Sequence, residues 1–198
     1  MSGPIGVSSP IDASTHELPP GYPLDLERVW HAADGTAVRL RALIPSDLDL
    51  EMAFISGLSP ETLHLRLQYS SRNVTREEAA RLLDLDYQDA MAIGAFVDEP
   101  AGEALVGVSR YARLPDTDRA DCAIVVADRW HGRGVGTELM RSLGLAARAR
   151  GLRALEATSL AENQRILEWA RRFGFDARTE ANSGGLVRIT LELESLLT

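Results

Sequence analysis

A run of glycines follows an apolar segment in the second half of the chain, where Val125 to Met140 reads Val-Val-Ala-Asp-Arg-Trp-His-Gly-Arg-Gly-Val-Gly-Thr-Glu-Leu-Met. Because Gly132, Gly134 and Gly136 have no Cβ, the backbone can turn sharply and approach a ligand closely. The first N–H groups of the helix expected after them have no partner within that helix. Together with the positive end of the helix dipole, these groups predict a binding site for a phosphate or diphosphate.

Two common nucleotide-binding motifs do not fit the spacing of these glycines. A Walker loop ends in Gly-Lys-Ser/Thr, and no lysine follows Gly136. The dinucleotide fingerprint Gly-x-Gly-x-x-Gly requires a further glycine, and neither Thr137 nor Leu139 provides it. The spacing therefore points to a different class of phosphate-bearing ligand.

The glycine run resembles the acetyl-CoA loop of the GNAT acetyltransferase superfamily, Gln/Arg-x-x-Gly-x-Gly/Ala, in the form His131-Gly132-Arg133-Gly134-Val135-Gly136. The resemblance implies that this loop and the start of the next helix, at Thr137, bind acetyl-CoA. His131 stands where the pattern has glutamine or arginine, and its imidazole can also donate a hydrogen bond to the diphosphate. Arg133 and the neighbouring Arg129 are expected to help hold the anionic end of the cofactor.

The composition is typical of a small enzyme without a disulfide framework. The chain has 198 residues, 45% of them hydrophobic, and a formal net charge of -8 at pH 7. This charge argues against a nucleic-acid partner, because phosphate backbones are bound by clustered Lys and Arg, and it favours a cationic acceptor. No apolar stretch approaches the roughly 20 residues of a membrane span. A single cysteine, Cys122, fits a reducing compartment, so we expect a cytoplasmic protein that binds no membrane.

The predicted elements follow the order of a mixed α/β domain. Residues 1–23 are rich in Pro, Gly and Ser and predict a flexible N-terminal arm, while residues 24–198 form one domain. Hydrophobic periodicity and turn and cap residues predict a hairpin, three helices, a three-stranded meander, the helix after the glycines, and then a strand, a helix and a strand. Their predicted bounds are, in order, 28–43, 45–56, 59–67, 75–83, 91–98, 105–113, 121–127, 134–150, 154–158, 163–173 and 187–193.

This element order resembles the GNAT fold, which has a mixed, mostly antiparallel central sheet flanked by helices on both faces. Residues 38–67 are also similar to the opening of the GNAT domain in bacterial protein lysine acetyltransferases, through Val-Arg-Leu-Arg-Ala-Leu-Ile-Pro-Ser-Asp and then Leu-Ser-Pro-Glu-Thr-Leu-His-Leu-Arg. The resemblance implies direct transfer of an acetyl group from acetyl-CoA to a primary amine, with a protein lysine as the favoured acceptor. It also implies a homodimer formed through the last strand.

Such a reaction needs a base, because an alkyl ammonium with a pKa of about 10.4 is not a nucleophile. In the protein acetyltransferases that the chain resembles, the base is a glutamate in an Ala-Glu-x-Ala context on the strand before the loop. The matching residues are Ala120-Asp121-Cys122-Ala123, so Asp121 is the candidate base and acts through a bridging water because its side chain is shorter. The alternative interpretation of Asp121 is a solvated residue at a strand start. Reserve candidates for the base are Glu103, Asp116 and Asp118.

The resemblance also assigns backbone groups on the strand before the loop. In the GNAT pattern this strand, here Ile124, Val125 and Val126, splays from the next strand and pairs with the pantetheine arm of the cofactor. The N–H of Val126 is expected to stabilise the tetrahedral oxyanion, because a backbone donor at the strand end is preorganised for that charge.

Two further positions follow from the GNAT pattern. Asn163 matches a residue whose side chain hydrogen-bonds the cofactor, and asparagine is equally suited to cap the helix that begins there. Ala170 stands where many GNAT enzymes have a tyrosine that protonates the departing thiolate. That role would then pass to Ser159, another hydroxyl or water.

Other functions and routes remain open at this point. A small-molecule amine is the alternative acceptor, because a fold does not determine its substrate. A module that binds acyl-CoA without catalysis is the alternative class, since His131, Asp121 and Ala170 depart from the commonest GNAT pattern. A covalent route through Cys122 is disfavoured, because Cys122 and its neighbour Asp121 face opposite sides of a regular strand. The four histidines show no metal-ligand spacing, so no metal is expected.

Overall fold

The computed structural model describes residues 18–67, 74–179 and 185–197, and it describes the side chains of these residues except at 64–67 and 197. Eight strands are found in this part of the chain: β1 (Arg28–His31), β2 (Ala37–Ala42), β3 (Ala90–Glu99), β4 (Gly102–Arg113), β5 (Arg119–Val126), β6 (Ala154–Leu160), β7 (Asp176–Thr179) and β8 (Leu186–Glu192). They form one sheet in the order β1-β2-β3-β4-β5-β6-β8-β7. Only β5 and β6 are parallel neighbours; the other pairs are antiparallel.

Helices cover both faces of the sheet. They are α1 (Leu48–Ser56), α2 (Pro60–Leu67), α3 (Arg76–Arg81), α4 (Val135–Ala149) and α5 (Gln164–Phe173). One buried cluster joins Phe54 of α1 to Phe96 of β3 and Val108 of β4. A larger cluster, which includes Leu139 of α4 and Leu167 of α5, packs on the opposite face. The prediction of a mostly antiparallel sheet between two helical layers is confirmed.

Most predicted elements lie within a few residues of their expected bounds. The capping box of α3 is present, with Glu78 N donating to Thr75 Oγ1 (3.2 Å) and Thr75 N donating to the Glu78 carboxylate (2.8 Å). Asp47 precedes α1 but makes no cap hydrogen bond to it; its carboxylate accepts from Ile44 N (2.9 Å) and twice from Arg41 (2.7 and 2.8 Å). Strand β7 has no counterpart among the predicted elements, since its sequence Asp-Ala-Arg-Thr shows no apolar alternation.

Part of the predicted N-terminal arm can be compared with the structure. Residues 1–17 of the arm lie outside the described residues. Tyr22, near its end, packs edge-on against Tyr87 with ring centroids 5.6 Å apart, so this part of the arm contacts the domain. Within the described ranges, no helix has both the length and the apolar character needed to cross a bilayer.

The sheet opens between β5 and β6. Their parallel ladder pairs only residues 119–121 with residues 154–156. Beyond it, β5 stays paired with β4 as far as Val126, and β6 stays paired with β8 as far as Leu160. The two strands therefore continue without bonding to each other and leave an opening in the sheet. The loop between β5 and α4, called the glycine loop below (residues 131–137), begins at the wide end of this opening.

Candidate active site

The glycine loop follows a backbone path that requires two of its glycines. The φ angle is +75° at Gly132 and +89° at Gly134, in the left-handed region that residues with a Cβ rarely adopt. A Cβ on Gly134 would in addition lie 3.2 Å from the Trp30 ring. Gly136 has no positive φ, and a Cβ there would make an ordinary contact at 3.6 Å with the side chains of Ile124 and Val126. The three glycines therefore have different physical roles.

This path leaves a series of backbone donors at the start of α4. Within residues 18–67, 74–179 and 185–197, no group accepts a hydrogen bond from the N–H of any residue from Gly132 to Thr137. The first helical hydrogen bond of α4 runs from Glu138 N to Gly134 O (3.0 Å). Unpaired N–H groups at a helix start, with the positive end of the dipole behind them, attract an anion. The loop thus has the donors that a diphosphate requires.

His131 turns its ring back towards the sheet. Its Nε2 lies 2.7 Å from Val126 O, and because a carbonyl oxygen only accepts, this nitrogen carries a proton. The ring therefore holds the end of β5, and any contact with a bound diphosphate would fall to the other ring nitrogen. Trp130, next to it, is 7% exposed and packs in the core.

Both arginines expected beside the loop are bound to carboxylates. Arg129 pairs with Glu99 (2.6 Å), and Arg133 pairs with Asp34 (2.5 Å). Asp34 lies in the turn between β1 and β2, where Ala33 N also donates to Arg133 O (3.2 Å). The β1–β2 hairpin therefore supports the glycine loop. The two paired residues are 99 positions apart, so no local sequence pattern reveals their contact.

Asp128 links the same loop region to α2, and sequence reasoning missed it. Its carboxylate accepts hydrogen bonds from Ser59 N (3.0 Å), Ser59 Oγ (3.0 Å) and Thr62 Oγ1 (2.7 Å), and thereby holds the start of α2, where Ser59 Oγ is the N-cap and accepts from Thr62 N (3.2 Å). Burial alone would raise the pKa of Asp128, but these hydrogen bonds outweigh burial and hold the pKa below its usual range. A contact between residues 69 positions apart leaves no signal in the sequence around either partner.

Backbone hydrogen bonds at both ends of the β4–β5 ladder determine which residues of β5 bond to β4. Leu114 N donates to Arg119 O (2.8 Å) at one end, and Ala127 N donates to Val106 O (2.9 Å) at the other. The register between these bonds is unbroken. Because paired residues alternate along an antiparallel ladder, odd-numbered residues of β5 bond to β4 and even-numbered residues direct their N–H and C=O groups the other way.

The alternation of bonded residues along β5 determines which of its backbone groups face the opening between β5 and β6. Ile124 and Val126 direct their N–H and C=O groups towards it, whereas Val125 is bonded to β4. The contact from His131 to Val126 O agrees with this direction, since it comes from outside the β4–β5 ladder. The N–H predicted to stabilise an oxyanion therefore lies on the correct edge of the strand.

Asp121 lies where the β5–β6 ladder ends, and it is exposed. Its neighbour Cys122 is only 4% exposed and packs in the core that contains α4, on the opposite face of the sheet. Across the ladder Asp121 is opposite Glu156, whose carboxylate binds Arg119 and Arg188. Asp121 therefore belongs to a polar sheet surface beside the opening.

The reserve candidates for the base lie away from this ladder end. Glu103 is at the start of β4 and binds Arg39 (2.8 Å) and Arg41 (3.4 Å). Asp116 and Asp118 lie in the turn between β4 and β5, where Asp118 is 3.9 Å from Arg153. In the part of the chain that the structure describes, no group of three or more His, Cys, Asp and Glu side chains could hold a metal ion.

The residues after β6 have structural roles in addition to the predicted ones. Asn163 caps α5, with its Oδ1 accepting from Ile166 N (3.2 Å), which confirms the capping role; its contact with the cofactor stays a prediction. Ala170 is 0% exposed, so the position expected for a general-acid tyrosine is part of the core here. Ser159 is 6% exposed, and its hydroxyl donates to Leu160 O (3.4 Å).

Comparison with known proteins decides the family. The protein-family model described as "Acetyltransferase (GNAT) family" matches residues 60–175 of this sequence, more than half of the chain. The chain belongs to the GNAT family. An acetyltransferase of Pseudomonas aeruginosa is 34% identical over 142 residues, which are 72% of this chain and 76% of that protein. The acetyltransferase Pat of Mycolicibacterium smegmatis is 29% identical over 136 residues, which are 68% of this chain but only 40% of Pat.

The fold agrees with this family. The GNAT domain of S. lividans PAT superposes with a TM-score of 0.79 at 23% identity, over 86% of this chain and 99% of that domain. The resemblance found in the sequence is thereby confirmed. As a GNAT family member, the protein is an N-acetyltransferase, and the family supports acetyl-CoA as its acetyl donor.

We expect Gly134→Ala to damage the acetyltransferase far more than Gly136→Ala. The left-handed backbone at Gly134 would cost an alanine about 1–2 kcal/mol, and its Cβ would meet the Trp30 ring at 3.2 Å. Gly134→Ala should therefore lower the free energy of unfolding by about 1–2 kcal/mol and weaken CoA binding about tenfold, or about 1.4 kcal/mol. Urea unfolding and titration calorimetry with CoA measure both effects. Gly136→Ala is the matched control and should change unfolding by less than about 0.5 kcal/mol; equal effects of the two would contradict this account.

We expect Asp128→Asn to destabilise the fold in a pH-dependent way. Because the pKa of Asp128 is depressed in the folded state, the stability it supplies is present above the unfolded pKa of about 3.9 and is lost as pH falls through the lower folded value. The variant should be about 1 kcal/mol less stable at pH 7, in the range of weakened hydrogen bonds to a carboxylate at a solvent-screened site. Urea unfolding from pH 7 to pH 3 should show this difference shrinking. A difference that stays constant with pH would contradict the assignment, and Asp98→Asn, at an exposed ion pair with Arg39, serves as the control.

Proposed function

We propose that this GNAT acetyltransferase transfers the acetyl group of acetyl-CoA directly to the ε-amine of a lysine in another protein. The observation that carries the proposal is the opening between β5 and β6. The unpaired N–H groups of the glycine loop lie at its wide end, and the exposed Asp121 lies where the strands meet. A cofactor held by its diphosphate at the loop can extend its pantetheine arm along β5 towards Asp121.

The cofactor is held mainly by backbone groups in this proposal. The N–H groups from Gly132 to Thr137, including those of Arg133 and Val135, bind the diphosphate. The C=O groups of Ile124 and Val126 that face the opening accept from the amide N–H groups of the pantetheine arm, much as an added strand pairs with a sheet edge, and the N–H groups of these residues remain for the reacting carbonyl. Asn163 and the second ring nitrogen of His131 are the side chains proposed to contact the cofactor.

Asp121 is proposed as the base that removes a proton from the acceptor ammonium. Its carboxylate is exposed at the ladder end, where a cationic side chain can approach it from solvent. Val126 lies five residues along β5, roughly 16 Å away, and Ile124 lies three residues or roughly 10 Å away. The proton therefore crosses this distance along a chain of several water molecules to reach Asp121.

The amine then attacks the thioester carbonyl. A C–N bond forms, the carbonyl oxygen becomes an oxyanion, and the N–H of Val126 donates to it. Ile124 N–H faces the same opening and is the second donor available on this edge of β5. Collapse of the intermediate breaks the C–S bond and releases CoA thiolate, which takes a proton from water. With a pKa near 8.5, a thiol leaves without strong acid assistance, which fits a core alanine at position 170.

A protein lysine is favoured as the acceptor for two reasons. The first is that residues 38–67 are similar to the opening of protein lysine acetyltransferase domains. The net charge of -8 also suits a cationic acceptor. The chain itself contains no lysine, since all 21 of its basic residues are arginine, so an acceptor lysine has to come from another molecule. The cytoplasmic location and a dimer through the last strand stay predictions.

The lysine-free composition allows a direct test of the acceptor. The purified enzyme is incubated with acetyl-CoA and either lysine-bearing proteins, such as acyl-CoA synthetases, or small amines such as polyamines, amino acids and aminoglycosides. Thiol release and mass spectrometry are then measured. Any ε-acetyl-lysine must come from the acceptor protein, and we expect it to appear. Acetylation of a small amine alone would overturn the choice of acceptor, and CoA binding without thiol release by any acceptor would indicate a non-catalytic module.

We expect Asp121→Asn to lower turnover by about 10²- to 10⁴-fold, the contribution typical of a general base. Binding of CoA should stay within about twofold, or about 0.4 kcal/mol, because the cofactor is held at the far end of the opening. Steady-state thiol release and titration calorimetry separate the two quantities. Asp116→Asn, in the turn before β5, is the matched control and should keep its turnover. Unchanged turnover in Asp121→Asn would remove Asp121 from the mechanism.

A further inference from the structure

Arg133 occupies the centre of the glycine loop, but its side chain is held outside the site. The guanidinium bonds Asp34 through Nη1 (2.5 Å) and lies 4.6 Å from the centre of the Trp130 ring. Its backbone is also fixed, since Arg133 O accepts from Ala33 N (3.2 Å). A cationic side chain between two glycines of an anion site is thus bound to a carboxylate of the β1–β2 hairpin.

Asp34 is itself held in place by its turn. Its Oδ1 accepts a hydrogen bond from Thr36 N (3.0 Å), while its Oδ2 faces Arg133. The hydrogen bonding of Thr36, followed by the charge of Arg133, keeps the pKa of Asp34 below its usual range, so the side chain is a carboxylate at neutral pH. A fixed negative charge beside a diphosphate site opposes cofactor binding.

A phosphate competes well for this guanidinium. The side chains of Arg133 and Asp34 are 39% and 42% exposed, and ion pairs of this exposure are weak. Arginine binds phosphate oxygens in a two-pronged geometry that makes a stronger, charge-assisted contact. The side chain is long and starts from the loop that holds the diphosphate, so a change of rotamer is enough to exchange partners.

We propose that Asp34 limits the affinity for the cofactor by binding Arg133, and that the diphosphate of CoA takes Arg133 over when it binds. This inference rests on the proposed function. It adds that Asp34 sets the affinity for the cofactor indirectly, through its ion pair with Arg133. Weaker binding of CoA favours release of the product after acetyl transfer, a step that limits the turnover of many enzymes. Asp34 is therefore a positioning residue for Arg133.

A double-mutant cycle tests this proposal with the variants Asp34→Asn, Arg133→Met and the two combined. Asparagine keeps an oxygen that accepts from Thr36 N, so the turn is preserved. The dissociation constant of CoA is measured by calorimetry at low and at high ionic strength. Asp34→Asn should bind CoA roughly three- to tenfold more tightly than the wild type at low salt, and the gain should fall as salt screens the charges. When Arg133 is already replaced by methionine, adding Asp34→Asn should change the affinity for CoA by less than about twofold.

Two further measurements test which phosphate of CoA Arg133 binds, and whether the change in net charge alone explains the tighter binding of Asp34→Asn. Dephospho-CoA, which keeps the diphosphate but lacks the 3′-phosphate, should show the same gain in Asp34→Asn. Asp49→Asn removes the same charge from an exposed ion pair with Arg76 at the start of α1, and it should leave CoA affinity unchanged. A gain that vanishes with dephospho-CoA, or one that Asp49→Asn reproduces, would overturn the proposal.

The remaining outcomes separate this inference from the proposed function. If Asp34→Asn does not tighten binding, or tightens it equally without Arg133, the inference is wrong while the acetyltransferase mechanism is untouched. If the wild-type protein and all variants fail to bind CoA, the proposed cofactor site itself is wrong.

Discussion

The unpaired N–H groups at the start of α4 are the constraint on which the active site depends. They exist because the first N–H groups of a helix have no partner within it, and among the described residues no other group accepts from them. The left-handed backbone at Gly132 and Gly134 sets the direction from which the chain enters the helix. The helix dipole adds a positive potential in the same place. Several side-chain contacts preserve this geometry, among them those of His131 with the end of β5 and of Asp128 with α2.

The opening between β5 and β6 complements these donors. A strand edge without a partner is normally a liability, because its N–H and C=O groups can pair with another chain. Here the open edge is internal to the sheet and only a few residues long, from the end of the β5–β6 ladder to Val126. A pantetheine arm with two amides can satisfy such an edge. In the proposed function the glycine loop and the open edge act together, the loop holding the diphosphate and the edge directing the pantetheine arm.

Local patterns predicted much of the fold and the less unusual parts of the site. The Thr75 and Glu78 capping box and the Asn163 cap involve residues three apart, and both are present. The glycine spacing located the start of α4 within one residue of Val135. Strand β7 was missed because its four residues are held by pairing with β8 and by no periodicity of their own.

The contacts that sequence could not supply join distant segments. Asp128 reaches Ser59 across 69 positions and Asp34 reaches Arg133 across 99. Asp47 pairs with Arg41, only six positions away but on the neighbouring strand β2, and makes no cap hydrogen bond to α1. Each of these carboxylates has an ordinary local role in sequence, such as a cap or a turn residue. Their partners are selected by the packing of the hairpin and of α2 against the loop, which no local pattern encodes.

The most direct measurement of the central claim is the ¹⁵N–¹H spectrum of the protein during titration with acetyl-CoA. The account predicts that the amide signals of residues 132 to 137 shift most, and that those of Ile124 and Val126 shift with them at the same ligand concentration. Amides bonded inside the β4–β5 ladder, such as that of Val125, should move less. Large shifts elsewhere with the glycine-loop signals unchanged would contradict the claim that these N–H groups bind the cofactor.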